Sequence, residues 1–339
     1  MLISAHRGRR SVALDRLLNQ GDASNGRFLL VASSGGHLTE LDNLVETWGG
    51  SDASEWVTFD TPQSRALLQG RRVHHVPYVA PRDARGVMRA LRDIRVLLQD
   101  GSYDAIVSTG AAVALSAALA GVRTRTPMLY VESIARLTGP SLTGRLLSAV
   151  PGIRLRTQVE TWADGRWTYA GDVLGAYEAP VLQAGPQGRP VKLFVTLGTI
   201  EPYRFDALVD AVLMTGLAGP GTVWQLGSTT RQDLPGTTHH QMAHDEVRRH
   251  LREADVVVSH GGVGTIMDAL AAGKVPVVCP RREARFEHVD DHQEQFARHI
   301  EDAGLAVTVE APELTAADLL RAARLVVPPH RQDARGHQP

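Results

Sequence analysis

The stretch ADVVVSHGGVGTIMDALAAGKVPVVCPRREARFEHVDDHQEQ, Ala254–Gln295, decides how the chain is read. Its run Val256-Val257-Val258 is β-branched and too short for a helix, which predicts a buried parallel strand. That strand ends in Ser259-His260-Gly261-Gly262-Val263-Gly264-Thr265. Ile266, Met267, Leu270 and Ala271 then recur at helical spacing until Gly273, and Val275 to Cys279 predicts a second buried strand. A strand, glycine turn, helix and strand in this order aim a helix N-terminus past the first strand's carboxyl end. The unpaired backbone N–H groups there suit a phosphate, and glycine lets a bulky anion reach the backbone. The turn is neither G-x-x-x-x-G-K-[ST] nor G-x-G-x-x-G, which argues against a P-loop ATPase and against an NAD enzyme. Asp268, about one turn into the helix, is placed to take a ribose hydroxyl pair. Asp290-Asp291-His292-Gln293 sets four polar groups at the start of a further helix. Together these features suggest a nucleotide that carries a polyhydroxylated group.

The chain has 339 residues, enough for two domains that each bury a core. Its formal net charge of −1 gives no indication of nucleic-acid binding. The charge is uneven: residues 1–172 hold 20 Arg and 16 acidic groups, a balance of +4, and the remainder has a balance of −5. The first half would therefore sit more easily on an anionic surface or ligand. The single cysteine, Cys279, falls in a core strand and is expected to be a small buried hydrophobe. Without a disulfide framework or an N-terminal apolar segment, a cytoplasmic location is expected. The uncharged run Ala105–Val122 divides into a strand and a helix and reads as core.

Residues 1–26 read as a polar tail with a short helix near Val12–Leu18. From residue 27 to 172, strands and helices alternate. Phe28 to Ser33 is a strand that runs into Ser34-Gly35-Gly36-His37 and then a helix, a second unit of the opening kind. His37 stands where that helix begins. A histidine there serves either as a general base near neutral pH or as a loop-ordering hydrogen-bond partner. The helix after Pro81-Arg82-Asp83-Ala84-Arg85 places Val87, Leu91, Ile94 and Leu98 on one face. Arg85, Arg89 and Arg92 lie nearly opposite, with Arg95 at the margin, as either a solvated basic face or a stripe for lipid headgroups or a diphosphate. Ile153–Val159 is expected to be the last strand of this half, followed by a turn over Trp162–Tyr169. Gly and Pro in 173–190 mark a linker. Residues 191–327 form a second α/β run ending in an amphipathic helix over Leu314–Val327, and 328–339 read as a tail.

Two α/β halves with glycine turns resemble the GT-B glycosyltransferase fold, two Rossmann-like domains facing a cleft. The resemblance is carried by FVTLGT (Phe194–Thr199), SHGGVGTIMDAL (Ser259–Leu270), VVCPRR (Val277–Arg282) and EHVDDHQEQFA (Glu287–Ala297). These are similar to the donor-binding subunit of bacterial exopolysaccharide glycosyltransferases. SSGGHLTEL (Ser33–Leu41), PRDAR (Pro81–Arg85) and ESIARLTGPSLTGRLL (Glu132–Leu147) are similar to the partner, acceptor-side subunit. The pair resembles the two-subunit N-acetylglucosaminyltransferase of the dolichol pathway and, more distantly, the family-28 enzyme that makes peptidoglycan lipid II. Here both halves lie on one polypeptide, acceptor half first. Members that act in membranes often carry an N-terminal hydrophobic anchor, which residues 1–26 lack, so attachment is expected to be peripheral, on the inner face of the plasma membrane.

The resemblance implies a UDP-sugar donor, inverting transfer and a lipid-diphosphate-linked or other hydroxyl acceptor. It implies donor contacts from Gly198, Thr199, Ser259, His260, Gly261, Gly262, Thr265, Asp268, His288, Asp291, His292 and Gln293. Gly35, Gly36, Arg82, Arg85 and Arg136 would line the acceptor and phosphate side. His37 is the candidate base, with Glu132 nearby. Asp268 stands where the lipid II enzyme typically has glutamate. No Asp-x-Asp occurs in the chain, so a metal-bridged diphosphate is not expected, and no cofactor is expected. His288 and His292 have zinc-like spacing but match a sugar-contact motif. His239, His240 and His244 read as surface histidines. A UDP-sugar epimerase of the same fold, a transferase acting on a soluble natural product and a non-catalytic binding protein are the competing readings.

Overall fold

The computed structural model describes residues 12–80, 82–199, 202–288 and 292–328. The chain divides into two compact units between Val173 and Leu174.

In the first unit, residues 12–20 are helical (α1) and bury Leu14 and Leu17, so part of the expected tail joins the core. The alternation then runs β1 (Phe28–Ala32), α2 (Gly36–Thr47), β2 (Glu55–Thr58), α3 (Pro62–Leu67), β3 (Val73–His75), α4 (Ala84–Asp100), β4 (Ala105–Gly110), α5 (Val113–Thr124), β5 (Met128–Val131), α6 (Leu142–Ser148), β6 (Ile153–Thr157) and β7 (Trp167–Tyr169). Strands β1 and β4 are buried along their whole length, as expected where helices cover both faces of a parallel sheet. The seven strands lie in the order β3-β2-β1-β4-β5-β6-β7, and every pair is parallel. The seventh strand corrects the expectation that β6 closes the half. Trp167 ends the turn and packs edge-on against Tyr130 and Trp162, with centroids 6.1 Å and 5.3 Å away, which anchors the short strand.

The second unit repeats the plan with β9 (Leu193–Thr196), α7 (Asp206–Met214), β10 (Val223–Gln225), β11 (Thr237–His239), α8 (His244–Glu253), β12 (Val256–His260), α9 (Val263–Ala271), β13 (Val277–Cys279), α10 (His292–Asp302), β14 (Val307–Thr308) and α11 (Ala316–Ala322). Its six-stranded sheet has the order β11-β10-β9-β12-β13-β14, again parallel throughout. Phe194, Val257 and Ala269 form a core with Met242 and Leu251. Two expectations change. Residues 173–190 are not a bare linker: β8 (Val181–Leu182) pairs antiparallel with β15 (Leu325–Val326). The helix expected over Leu314–Val327 stops at Ala322, and its last residues form β15 instead.

Each sheet starts at its first strand, grows one way for two strands, then reverses and grows the other way. The reversal falls between β1 and β4 in one unit and between β9 and β12 in the other. Ligands of open parallel sheets bind beyond the carboxyl ends of the strands at this point. The glycine turns follow these same strands: Gly35-Gly36 after β1, Gly198-Thr199 after β9, and Gly261-Gly262 after β12.

Candidate functional site

In the second unit, α9 begins at a bare turn. Its N-cap, Gly262, has no side chain to cap the helix, and the first turn holds no acidic residue. Ile266 makes the first intrahelical bond, to the Gly262 carbonyl at 3.1 Å, so the N–H groups of Val263, Gly264 and Thr265 precede the ladder. The starts of α3, α4, α6 and α11 are capped by the side chains of Thr61, Asp83, Ser141 and Thr315, while α2 and α5 share with α9 an uncapped start and no acid in the first turn. A helix start with open donors and no competing carboxylate is a favourable place for an anion.

The glycines of this turn are needed for close approach. A Cβ on Gly262 would lie 2.5 Å from His260 Nε2, and one on Gly261 would lie 2.9 Å from Gln293 Cβ. His260 is 8 % exposed, and its Nδ1 lies 3.3 Å from the Thr196 carbonyl at the end of β9. That carbonyl can only accept, so Nδ1 carries the proton and Nε2 is left as an acceptor. Burial, reinforced by the nearby Arg281, pushes the His260 pKa down to about 3, so the ring is neutral at physiological pH. Ser259 is fully buried and its hydroxyl donates to the His260 carbonyl at 2.7 Å, which ties the turn together.

Beside the turn lies a residue that the sequence did not single out. Arg281 is 1 % exposed, and its guanidinium packs against Gly198. A Cβ on Gly198 would sit 2.3 Å from Nη1 and 2.5 Å from Cζ. Gln293 Oε1 accepts from the Arg281 backbone N–H at 3.2 Å and from Nε at 3.4 Å. Gln293, expected to hold sugar hydroxyls, is thus 2 % exposed and fixes Arg281. Burial lowers the Arg281 pKa to about 10, against the opposing effect of Glu287, which leaves it charged at neutral pH. Its neighbour Arg282 is paired with Glu310 and Glu294. The two arginines are adjacent in sequence and opposite in environment.

Asp268 is half-buried on α9, with Oδ2 3.9 Å from His244 Nδ1. His244 is 5 % exposed, which corrects its reading as a surface histidine; burial lowers its pKa. Thr265 is half-buried and Thr199 exposed. His288 is buried, its ring 6.1 Å from that of Tyr203. Asp291 and the side chain of His292 lie outside the described residues, as does the zinc-like pairing of His288 with His292.

In the first unit, the glycine turn has a different physical basis. Gly35 has φ +89°, a conformation that favours glycine, and a Cβ there would meet nothing within 4 Å. His37 follows in the first turn of α2, half-buried. Its ring stacks close to Gly110, where a Cβ would lie 3.1 Å from Cε1, and its carbonyl accepts from Thr109 Oγ1 at 2.7 Å. His37 after β1 and Gly110 closing β4 therefore meet at the switch point of this sheet. Arg82 and Arg85 are exposed at the start of α4, and half-buried Arg136 accepts the Trp162 indole N–H on its carbonyl at 2.8 Å.

Glu132, expected to act beside His37, is 1 % exposed. Tyr130 donates to Oε1 at 3.1 Å, and Ser141 donates to Oε2 from its N–H at 3.0 Å and its hydroxyl at 3.1 Å. The carboxylate thereby holds the loop that leads into α6. Burial raises its pKa, against the Ser141 hydrogen bonds. A second buried acid lies close by. Glu40 is fully buried, accepts from the Ile134 N–H at 2.7 Å and pairs with the Gln158 amide. Burial raises its pKa to about 7.

The face of α4 opposite its buried Ala90, Leu91, Ile94 and Leu98 carries exposed Arg85, Arg89, Arg92 and Arg95, with Met88 and Val96 also exposed. No helix among the described residues is long and apolar enough to cross a membrane. Among the described residues, His239, Glu246 and His250 bring three ligand atoms within 4.8 Å of one another. Arg249 Nη2 lies 3.1 Å from His250 Nε2, and its positive charge opposes a cation there.

Residues 225–336 match the family model described as glycosyltransferase family 28 C-terminal domain. Over 246 residues the chain is 27 % identical to the UDP-N-acetylglucosamine–N-acetylmuramyl-(pentapeptide) pyrophosphoryl-undecaprenol N-acetylglucosamine transferase of Shewanella amazonensis, covering 68 % of this chain and 65 % of that protein. The protein of the same name from Marinobacter nauticus is 27 % identical over 244 residues with the same coverage. The match thus spans 65 % of the length of these relatives. Among solved structures, MurG of Acinetobacter baumannii aligns with a TM-score of 0.51 at 18 % identity, covering 87 % of this chain and 89 % of that one. The glycosyltransferase of kitacinnamycin aligns with a TM-score of 0.53 at 19 % identity, covering 88 % and 90 %. These likenesses show the fold: two Rossmann-like domains of the GT-B glycosyltransferase class.

Proposed function

We propose that the chain is an inverting, metal-independent glycosyltransferase that moves a sugar from a UDP-sugar to a hydroxyl of a lipid-diphosphate-linked saccharide. The observation that carries this reading is the uncapped N-terminus of α9 at the switch point of the second sheet. It lies within the segment that matches the family-28 C-terminal domain. The relatives' name specifies a UDP-N-acetylglucosamine donor and a pyrophosphoryl-undecaprenol acceptor, which supports the choice of donor and acceptor class.

The second unit holds the donor. The N–H groups at the start of α9 and the turn at Gly198-Thr199 receive the diphosphate, and Asp268 takes the ribose hydroxyls. His288 holds the sugar, together with the sugar contacts that the matching motif assigns to Asp291 and His292. The first unit activates the acceptor. The His37 imidazole takes the proton of the acceptor hydroxyl, a role worth about 10²- to 10⁴-fold in rate. The freed oxygen bonds to the anomeric carbon as the bond from that carbon to the diphosphate oxygen breaks. UDP leaves with the electron pair, and the anomeric centre inverts. Stabilising charge on the leaving diphosphate by pre-placed donors lowers the barrier to that cleavage. Glu132 and Glu40 keep the loop after β5 in place. Arg85, Arg89, Arg92 and Arg95, interleaved with Met88 and Val96, suit peripheral contact with an anionic membrane that presents the acceptor.

A ligand that binds only the native state raises the melting temperature. Screening UDP-sugars for this shift is expected to find at least one that stabilises the protein, and radiolabel from that sugar should pass to a polyprenyl-diphosphate saccharide. A screen in which no UDP-sugar changes the melting temperature would remove the proposal. Sedimentation with vesicles is expected to recover the protein with anionic and not with neutral lipid; equal recovery with both would remove the membrane contact.

A further inference from the structure

Arg281 presents a problem that the fold alone does not solve. A buried guanidinium is normally matched by a carboxylate, because an unpaired buried charge is costly. Among the described residues, no carboxylate lies within ion-pair distance of Arg281, and Nη1 is buried with no hydrogen-bond partner. Among the described acids, Glu287 acts on Arg281 only through space and accepts the Arg282 backbone N–H at 3.0 Å, while Glu310 and Glu294 pair with the Arg282 guanidinium. Nor does His260 compete as a cation, since it is neutral.

The side chain is also held in place. Gln293 fixes its Nε and backbone N–H, and Gln293 in turn abuts Gly261. The guanidinium lies flat against Gly198. One turn touches it directly and the other touches the residue that positions it. These are the turns after β9 and β12, the strands that flank the switch point.

We propose that Arg281 is the built-in counter-ion of the donor diphosphate, a fixed guanidinium supplying at the glycine turns the positive charge that a divalent cation would otherwise bring. The assignment rests on the reading of the second unit as the UDP-sugar site. A diphosphate brings the negative charge that Arg281 lacks, and its oxygens are acceptors for the orphaned Nη1. The charge also favours departure of the diphosphate, since the leaving oxygen gains negative charge as the glycosidic bond breaks.

Calorimetric titration of UDP and of uridine, both in EDTA, tests the proposal on the wild type, Arg281→Met and Arg281→Lys. The wild type should bind UDP far better than uridine. Arg281→Met should weaken UDP by about ten- to a hundredfold, the range for a hydrogen bond to a charged group, and leave uridine unchanged. Ligand-free Arg281→Met should melt no lower than the wild type, because it removes an unmatched buried charge. A purely structural arginine would instead lower the melting point and weaken both ligands alike. Arg281→Lys keeps the charge and loses the fork, so it should fall between the two. Arg281→Met binding UDP within threefold of the wild type would overturn the assignment, as would equal losses for UDP and uridine. If Arg281→Met does not fold, an Arg281→Lys protein with unaltered UDP affinity would overturn it. A wild type that binds neither ligand would instead remove the UDP-sugar reading itself.

Discussion

Replacing Glu40 by glutamine removes a carboxyl that the folded chain prefers to keep protonated. Burial raises its pKa from 4.5 to about 7, against the Ile134 hydrogen bond. The folded state therefore holds this proton more tightly than the unfolded chain does. The resulting stabilisation is fully present below the unfolded pKa and is lost as pH rises through the folded one. At 1.36 kcal/mol per pKa unit, the loss between pH 4.5 and pH 8 comes to about 3 kcal/mol. Glutamine keeps the oxygen that accepts the Ile134 N–H and carries no charge at any pH. Glu40→Gln should thus exceed the wild type by only about 1 kcal/mol at pH 5 and by about 3 kcal/mol at pH 8.5. Urea unfolding followed by tryptophan fluorescence reads the right unit, because Trp48, Trp56, Trp162 and Trp167 lie in the first and only Trp224 in the second. Comparing the two proteins at each pH cancels other titrating groups. A stability difference that stays constant from pH 5 to pH 8.5 would refute the reasoning.

His37→Ala should lower the rate of sugar transfer by about 10²-fold or more while leaving the UDP-induced rise in melting temperature intact; wild-type turnover would remove His37 as the base. Asp268→Asn should weaken UDP about tenfold and narrow the preference for UDP over 2′-deoxy-UDP, measured by calorimetry; an unaltered preference would detach Asp268 from the ribose. Gly262→Ala drives a Cβ to 2.5 Å from the buried His260 ring, so it should cost about 1–3 kcal/mol and weaken UDP. Gly35→Ala meets open space, but φ +89° with ψ −148° is a conformation that essentially only glycine adopts, so it should also cost about 1–3 kcal/mol, from the backbone alone and without weakening UDP. Calorimetry in which Gly35→Ala weakens UDP as much as Gly262→Ala does would contradict this account of the two turns.

The alternation of strands and helices was legible because its signals are local. The runs Phe28–Ala32 and Val256–Val258 are buried throughout, and the residues expected to line the inner face of α4 do so. The glycine turns were legible for the same reason, and the sheet order places them at both switch points. What escaped the sequence depends on distant partners. Two-residue strands such as β8 and β15 have no period to detect, and they exist only because residues 181–182 meet 325–326. Glu132 reads as a polar residue at a strand end, the usual place for chemistry, and only its contact with Ser141 shows how its oxygens are used. Glu40 sits among the leucines of α2, and its burial depends on Gln158 and Ile134, far along the chain. Arg281 and Arg282 are chemically identical in the sequence. Their difference arises from Gly198 on one side and Glu310 on the other. His244 reads as one of several histidines in a polar segment, and only the packing of α8 against α9 buries it.

The most direct test of the account is a crystal structure grown with both UDP and magnesium. The account predicts the diphosphate on the N–H groups that open α9 and on the Gly198-Thr199 turn, with the ribose on Asp268 and no cation between nucleotide and protein. A nucleotide bound away from the carboxyl ends of β9 and β12, or held there through a coordinated magnesium ion, would contradict it.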